Sequence, residues 1–411
     1  MGGAEAALLA ALVSIREAKP EWKLDLIVSE NGPLAAKAKA LGVTIRVLPF
    51  PSAVARLGDS ALGRPEDSSP RRASVNSMSR FRLLRQLLFA NNRIRVYAAS
   101  LRRILRELEP DVIHSNGFKM HILGALAKPK QVPLIWHVHD YVRQRPLMAS
   151  LMKLCQRRCK IALANSKSVA LDMQATCGNI LPIQTIYNGI DTEIFSPIGE
   201  RLNLDSLSGL PPPASDVIRI GMVATFARWK GHEVFLRALS LLPRELPWRG
   251  YIVGDALYQT EGSQYSLSEL KAIARQAGIV DRMGFCGFVD QPAAAMRSLD
   301  MVVHASTEPE PFGLVIIEGM ACGRAVIASE AGGAAELFDS DLTALGHPPG
   351  DAAQLAERIM QLATDPDLRV RLGAAGRASV EQRFNRSRLA KELNPIYESV
   401  RRQSTKQIRE E

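Results

Sequence analysis

The stretch from Met301 to Leu337 constrains this chain more than any other, because four local patterns follow one another there without a gap. Met301 to Ala305 is an apolar run that reads as a buried strand. Pro309, Pro311 and Gly313 then open a loop in which regular backbone hydrogen bonding is interrupted. From Leu314 the pattern turns helical, with Leu314, Ile317, Met320 and Ala321 on one face. Ala325 to Ala328 forms the next strand, and its turn is Gly332-Gly333. A strand, a loop and a helix start in this order present backbone N–H groups to an anion, and the helix dipole favours negative charge there. Glu310 and Glu318 flank that helix start. As carboxylates they repel phosphate, and they suit hydroxyl groups such as those of a sugar and a ribose. The pattern reads as a sugar-nucleotide site.

Glu310 and Glu318 are separated by seven residues, beside Glu310-Pro311-Phe312-Gly313 and ahead of Gly332-Gly333 and Glu336. The whole string resembles the signature of retaining glycosyltransferases of family 4. That resemblance implies an α/β chain of the GT-B fold, with two Rossmann-like domains facing a central cleft. It implies transfer of a sugar from a nucleotide-diphosphate sugar to an acceptor hydroxyl, with no metal and no other cofactor. In that scheme Glu310 holds sugar hydroxyls, Glu318 holds the ribose, and the amides of Gly313, Leu314 and Val315 hold the diphosphate. The departing phosphate itself takes the acceptor proton. A nucleotide-sugar epimerase of similar fold is the alternative. It would use the same donor site without an acceptor, and the neighbourhood of His137 and Asp140 would have to supply its acid–base groups.

Size and composition agree with two domains. At 411 residues the chain exceeds what one hydrophobic core usually supports. The five cysteines, Cys155, Cys159, Cys177, Cys286 and Cys322, form neither a C-x-x-C nor a metal spacing. They point to a reducing, cytoplasmic setting rather than to disulfides or structural zinc. No apolar run reaches the length of a transmembrane helix. Ala6 to Ile15 lacks the basic flank of a signal peptide and reads as an ordinary helix.

The resemblance divides the chain into an acceptor-side domain over residues 1–196, a donor domain over 197–376, and a terminal helix over 377–411 that crosses back towards the first domain. At the amino terminus, Gly2-Gly3-Ala4-Glu5 resembles the family's glycine turn between the first strand and the first helix. Its glycines, Gly2 and Gly3, are expected near the donor diphosphate. No strand precedes them here, so a central position of the first sheet is expected to be empty. Strands are expected at Leu24 to Ser29, Val43 to Leu48, Asp111 to Ser115, Leu134 to Val138, Ile161 to Asn165 and Thr185 to Tyr187. Pro51 to Ser79 is polar and aperiodic, and the resemblance makes it an acceptor-facing loop.

Arg80 to Leu108 carries eight arginines against Glu107 alone. Ile94, Tyr97, Leu101, Ile104 and Leu108 mark its apolar stripe, with Arg95, Arg102 and Arg106 on another face. A basic amphipathic helix of this kind covers a sheet or docks on anionic lipid at the inner face of a membrane. The net charge of +10 agrees with a polyanionic donor as well. No nucleic-acid-binding pattern accompanies it, so nucleic acid is not an expected partner. His137 and His139 share one face at the end of a strand, at the carboxyl edge where α/β folds bind ligands. The resemblance places a histidine beside the reacting sugar, and His139, followed by Asp140, is the better match.

After a linker-like Gly209 to Pro213, the second domain starts with strand Ile218 to Ala224. The segment Thr225 to His232 resembles the family's loop ending in K-G, where a lysine and an arginine neutralise the diphosphate. Lys230 matches the lysine. Thr225 stands where the arginine is usual, and Arg228 is the expected substitute. Gly287, Phe288 and Val289 follow the strand Met283 to Cys286 and match the backbone that holds the base. Asp339/Asp341 and Asp365/Asp367 form two D-x-D patterns in turn-like context, read as structural rather than as metal ligands. One long helix from Arg377 to Arg402 is expected at the end, with a frayed tail from Gln403.

Overall fold

In the computed structural model, residues 2–51, 80–213, 216–256 and 262–410 are described, with backbone alone for 80–91 and 404–410. The loop expected over Pro51 to Ser79 lies, apart from Pro51, outside the described residues. The chain forms two compact units. The first comprises residues 1–164, 169–186 and 390–411, and the second comprises 165–168 and 187–389.

In the first unit, β1 (Asp25–Val28) pairs in parallel with β2 (Thr44–Val47). Separately, β3 (Ile113–Asn116), β4 (Leu134–Val138), β5 (Ile161–Ala164) and β6 (Ile183–Thr185) form a four-stranded parallel sheet in that order. Among the described residues no strand joins the two sheets. β4 is buried along its whole length, as a two-sided parallel strand must be, and so its sequence is an unbroken run rather than an alternation. The helix Arg80–Leu108 buries Tyr97, Leu101 and Leu105 against Leu123 and Ala127. Its Arg102 does not merely face solvent: it donates to the carbonyls of Leu126 and Ala127, at the end of the helix Phe118–Ala127. A cation there complements the helix C-terminus.

The second unit has a six-stranded parallel sheet in the order β12-β11-β10-β7-β8-β9. These strands are β7 (Ile218–Val223), β8 (Trp248–Val253), β9 (Met283–Gly287), β10 (Met301–His304), β11 (Ala325–Ser329) and β12 (Leu345–His347). Two apolar clusters pack on its faces, one built on Phe235, Leu239 and Leu355, the other on Ile316, Met320 and Phe384. Counted from β7, this is the doubly wound order in which the winding direction reverses between β7 and β10. Ligands bind in such a sheet at the carboxyl ends of the strands beside that reversal.

Three expectations change. The amino-terminal part of the first unit ends at Ile186 rather than at residue 196, because Tyr187 to Ser196 is tied into the second unit. Ile190 exchanges backbone hydrogen bonds with Phe384 and Arg386, and Arg377 donates to the carbonyls of Thr192 and Phe195. For the same reason the terminal helix is broken. It consists of Pro366–Arg383 and Arg388–Glu410, and the gap holds Asn385, which bridges to Ile190. The second of these helices stays helical to Glu410 instead of fraying from Gln403.

Candidate active site

The loops leaving β7 and β10, at the reversal of strand order, bring Lys230 and Glu310 together. Lys230 Nζ donates to both carboxylate oxygens of Glu310, at 3.0 and 2.8 Å. The sequence sets up both halves. After β7 a short 3-10 turn, Arg228–Lys230, ends at Gly231, whose φ of +80° lies in the left-handed region. A Cβ at Gly231 would sit 1.8 Å from the Ala305 carbonyl oxygen, so only glycine lets this turn lie against the end of β10. After β10, Glu310 forms a parallel bridge with Gly332, and the Gly333 N–H donates to its carbonyl at 2.7 Å. The two sequence signals, proline loop and glycine pair, therefore serve one construction.

Glu310 is 7% exposed. Burial alone would raise its carboxyl, but the Lys230 ammonium and the His304 ring outweigh that and hold it down to about 2. Ser306 Oγ donates to Glu310 Oε2 at 2.9 Å and lies 3.0 Å from His304 Nε2. His304 Nε2 is itself 3.3 Å from the same carboxylate oxygen. Neither His304 nor Ser306 was singled out from the sequence. The available signal was a histidine inside an otherwise apolar strand run.

Gly313, at φ +101°, caps the helix Leu314–Ala321. The first-turn amides, those of Leu314 and Val315 among them, have no acceptor within their own helix. Glu318 lies one turn further on, half-buried, and burial pushes its carboxyl up to about 7. The two glutamates thus differ in kind: one is a fixed carboxylate, the other exchanges a proton near neutrality.

Arg228, expected as the second cation at the diphosphate, has partners of its own. It pairs with Glu269 at 2.7 Å, donates to the Gly262 carbonyl at 3.1 Å and stacks over Tyr265 at 4.3 Å. It is not paired with Glu310, and Lys230 is the cation that the loop directs to the reversal point. Gly287 ends β9 with φ +69°, and its carbonyl accepts the Gly254 N–H at 2.8 Å. Phe288 is exposed and Val289 packs on the apolar cluster beside it. Glu336 accepts the N–H groups of Lys167 and Ser168, at 2.8 and 2.7 Å, and the Tyr187 hydroxyl at 2.9 Å. It holds backbone rather than standing open to a ligand. Asp365 accepts the Leu368 N–H at 2.8 Å as a helix cap, and Asp341 pairs with Arg358 at 3.6 Å. Among the described residues no group of three His, Cys, Asp or Glu could hold a metal ion.

In the first unit, Gly2 caps the helix Gly3–Ala18 and its N–H donates to Glu5 at 2.8 Å. His114, His137 and His139 gather at the carboxyl edge of β3 and β4. Ring centroids are 5.2 Å apart for His114 and His137, and 4.2 Å for His137 and His139. His139 Nε2 lies 3.0 Å from Asn116 Oδ1, and His114 Nδ1 lies 2.7 Å from the Tyr397 hydroxyl. Burial first, and the neighbouring His114 second, push His139 down to about 3. Asp140 pairs with Arg145 at 2.9 Å.

Two Rossmann-like units, one carrying a lysine–glutamate pair at a strand-order reversal beside a glycine-capped helix, define a glycosyltransferase of the GT-B class. The family described as "Glycosyl transferases group 1" matches residues 211–379, and "Glycosyltransferase Family 4" matches residues 34–194. The chain belongs to glycosyltransferase family 4. It is 29% identical to the D-inositol 3-phosphate glycosyltransferase 2 of Catenulispora acidiphila, over 70% of each chain. It is 24% identical to the N-acetyl-alpha-D-glucosaminyl L-malate synthase of Bacillus anthracis, over 74% of this chain and 79% of that one. In fold it is similar to Anabaena HepE, solved with UDP-glucose, with a TM-score of 0.75, 22% identity, and coverage of 97% of this chain and 96% of that one.

Proposed function

We propose that this glycosyltransferase moves a sugar from a nucleotide-diphosphate sugar to an acceptor hydroxyl with retention of anomeric configuration, without a metal. The observation that carries the reading is the Lys230–Glu310 pair at the β7/β10 reversal, one turn from the glycine-capped helix start. Lys230 and the amides of Gly313, Leu314 and Val315 neutralise the leaving diphosphate, as preorganised cations and dipoles do for developing charge. Glu310 accepts sugar hydroxyls, Glu318 the ribose, and Gly287 to Val289 the base. His139 is assigned a role in the reaction of the sugar. The acceptor oxygen attacks the anomeric carbon from the face the phosphate leaves, the carbon–phosphate-oxygen bond breaks, and the acceptor proton passes to the departing phosphate oxygen. The UDP-glucose bound by HepE supports a donor of this class.

The acceptor is a sugar or a lipid-linked sugar, in cell-envelope or polysaccharide synthesis on the cytoplasmic side. The Rhizobium leguminosarum relative named as a lipopolysaccharide core mannosyltransferase, 30% identical over 54% of this chain and 60% of that one, supports that setting. No described helix is long and apolar enough to cross a membrane. Arg95 and Arg106 on the helix Arg80–Leu108 are exposed, which suits peripheral contact with anionic lipid. The test is a panel of nucleotide sugars, each incubated with and without hydroxyl acceptors and followed by NMR of the anomeric proton. Transfer with retention, lost in Glu310→Ala, is the expected result. A new nucleotide sugar formed from donor alone, or an inverted product, overturns the reading.

A further inference from the structure

The histidines at the carboxyl edge of the first unit differ in what holds them, and His139 is held by a residue the sequence reading passed over. Asn116 is the last residue of β3. Its backbone is registered against His137 on β4, and Gly117, at φ +82°, turns the chain directly into the helix Phe118–Ala127. The Asn116 backbone is therefore fixed by a strand on one side and a helix start on the other. From there Oδ1 reaches His139 Nε2 at 3.0 Å. An amide oxygen only accepts, so the ring nitrogen facing it must carry the proton.

We propose that Asn116 is the positioning residue of His139, holding the neutral imidazole with its proton on Nε2 and leaving Nδ1 as the basic nitrogen. The inference rests on the reading that His139 acts in the reaction of the sugar. An oxocarbenium-like centre carries positive charge, and a neutral ring with a fixed lone pair stabilises it where an imidazolium would oppose it. The surroundings keep the ring neutral from every side. His114 on β3 and His137 on β4 are close neighbours, and His121, on the helix Phe118–Ala127, is bonded to Ser115 at 2.8 Å. Tyr397 caps His114, and the carboxylate of the adjacent Asp140 is paired with Arg145. Burial disfavours a charged ring first, a charge on His114 would oppose it further, and the asparagine supplies orientation without charge.

The test uses the full chain labelled with nitrogen-15 in histidine. Its imidazole spectra report the tautomer and titration of His139 with no need for turnover, and assignment is made by loss of the signal in His139→Gln. The expected ground state is the Nε2–H tautomer, neutral down to below pH 5. Asn116→Leu gives a tautomer mixture and lowers kcat by up to about a hundredfold, the cost of misplacing a group by an ångström. Asn116→Asp retains the acceptor oxygen and adds a charge, so it keeps the tautomer. It raises the His139 pKa by about one to three units and moves the acid limb of the kcat profile up with it. Asn116→Ser serves where the leucine variant fails to fold. An Nδ1–H ring in the parent chain, or the same tautomer and titration in the Leu and Asp variants, overturns the proposal. If His139→Gln transfers sugar at the parent rate, the reading of His139 at the reacting sugar falls instead, and the tautomer result stands independently.

Discussion

Replacing Lys230 by methionine should destabilise the second unit before any substrate is considered. In the parent chain Glu310 titrates at about 2 against an ordinary 4.5. By proton linkage a carboxylate so depressed contributes roughly 3 kcal/mol at neutral pH. Lys230 is the main source, since it binds both oxygens within 3.0 Å and only 19% of its side chain is exposed. Without it, burial, Ser306 and His304 remain, and the carboxyl shifts upward. Breaking a buried pair on one side costs about 3–5 kcal/mol, and partial solvent access places this pair at the lower end. For a unit of about 200 residues, 3 kcal/mol corresponds to a drop of about 6–12 °C in Tm.

The pH dependence gives the argument its sign. A depressed carboxylate stabilises the fold above its unfolded pKa, and that stabilisation is lost as pH falls from 4.5 towards 2. The deficit of Lys230→Met should therefore be full at pH 7 and narrow steadily between pH 5 and pH 3, read by scanning calorimetry. Glu310→Gln should cost less, because the ammonium left behind can rotate into solvent while staying over Trp229, now 4.0 Å away. The double variant should recover most of the loss, because no buried charge is left alone. A Lys230→Met chain that melts within about 1 °C of the parent at pH 7, or whose deficit is unchanged at pH 3, refutes this account of the pair.

Glu318 titrates at about 7 because of burial, so the folded state prefers it protonated and loses stability as pH rises from 4.5 through 7. Glu318→Gln should raise Tm at pH 8 and leave it unchanged at pH 4.5, while weakening nucleotide binding in a calorimetric titration. EDTA should leave transfer intact, the site's positive charge being Lys230 and helix amides. Activity abolished by chelation and restored by manganese would make Asp339 and Asp341 candidate ligands. Glu336→Gln keeps an acceptor for the Tyr187 hydroxyl and one backbone N–H but removes the charge shared among three donors. A loss of about 1–3 kcal/mol follows, seen as faster amide exchange at Lys167 and Ser168, and unchanged exchange there would count against the bonds. Among the described residues of the first unit, β1 and β3 each have a strand partner on one side only. Their amides should exchange faster than those of β4 and β5, and equal protection would mean that another segment covers those edges.

The second unit was legible because its signals are local. Apolar runs mark β7, β10 and β11 to within a residue or two, and Gly231 and Gly313 stand where backbone geometry and close approach require glycine. Arg228 shows where local reading stops. Two residues from Lys230 it reads as a second phosphate cation, yet its partner Glu269 lies 41 residues on, at the start of the helix Leu267–Gln276, and no spacing rule connects them. The same holds for His304 and Ser306. Inside an apolar run a histidine looks like filler until the loop folds Glu310 back onto it. Ile190 and Asn385 are a longer-range case, and their bridge lies both at the boundary of the first unit and at the break in the terminal helix. Asn116 is the most instructive. Nothing in His-Ser-Asn-Gly distinguishes that side chain until parallel registration sets β3 beside β4, so that a strand end and the residue just past its neighbour meet at 3.0 Å. Side chains that bind through their own loop can be read from sequence. Side chains that act by holding another group become readable only once the sheet order is known, because strand order determines which loops are neighbours.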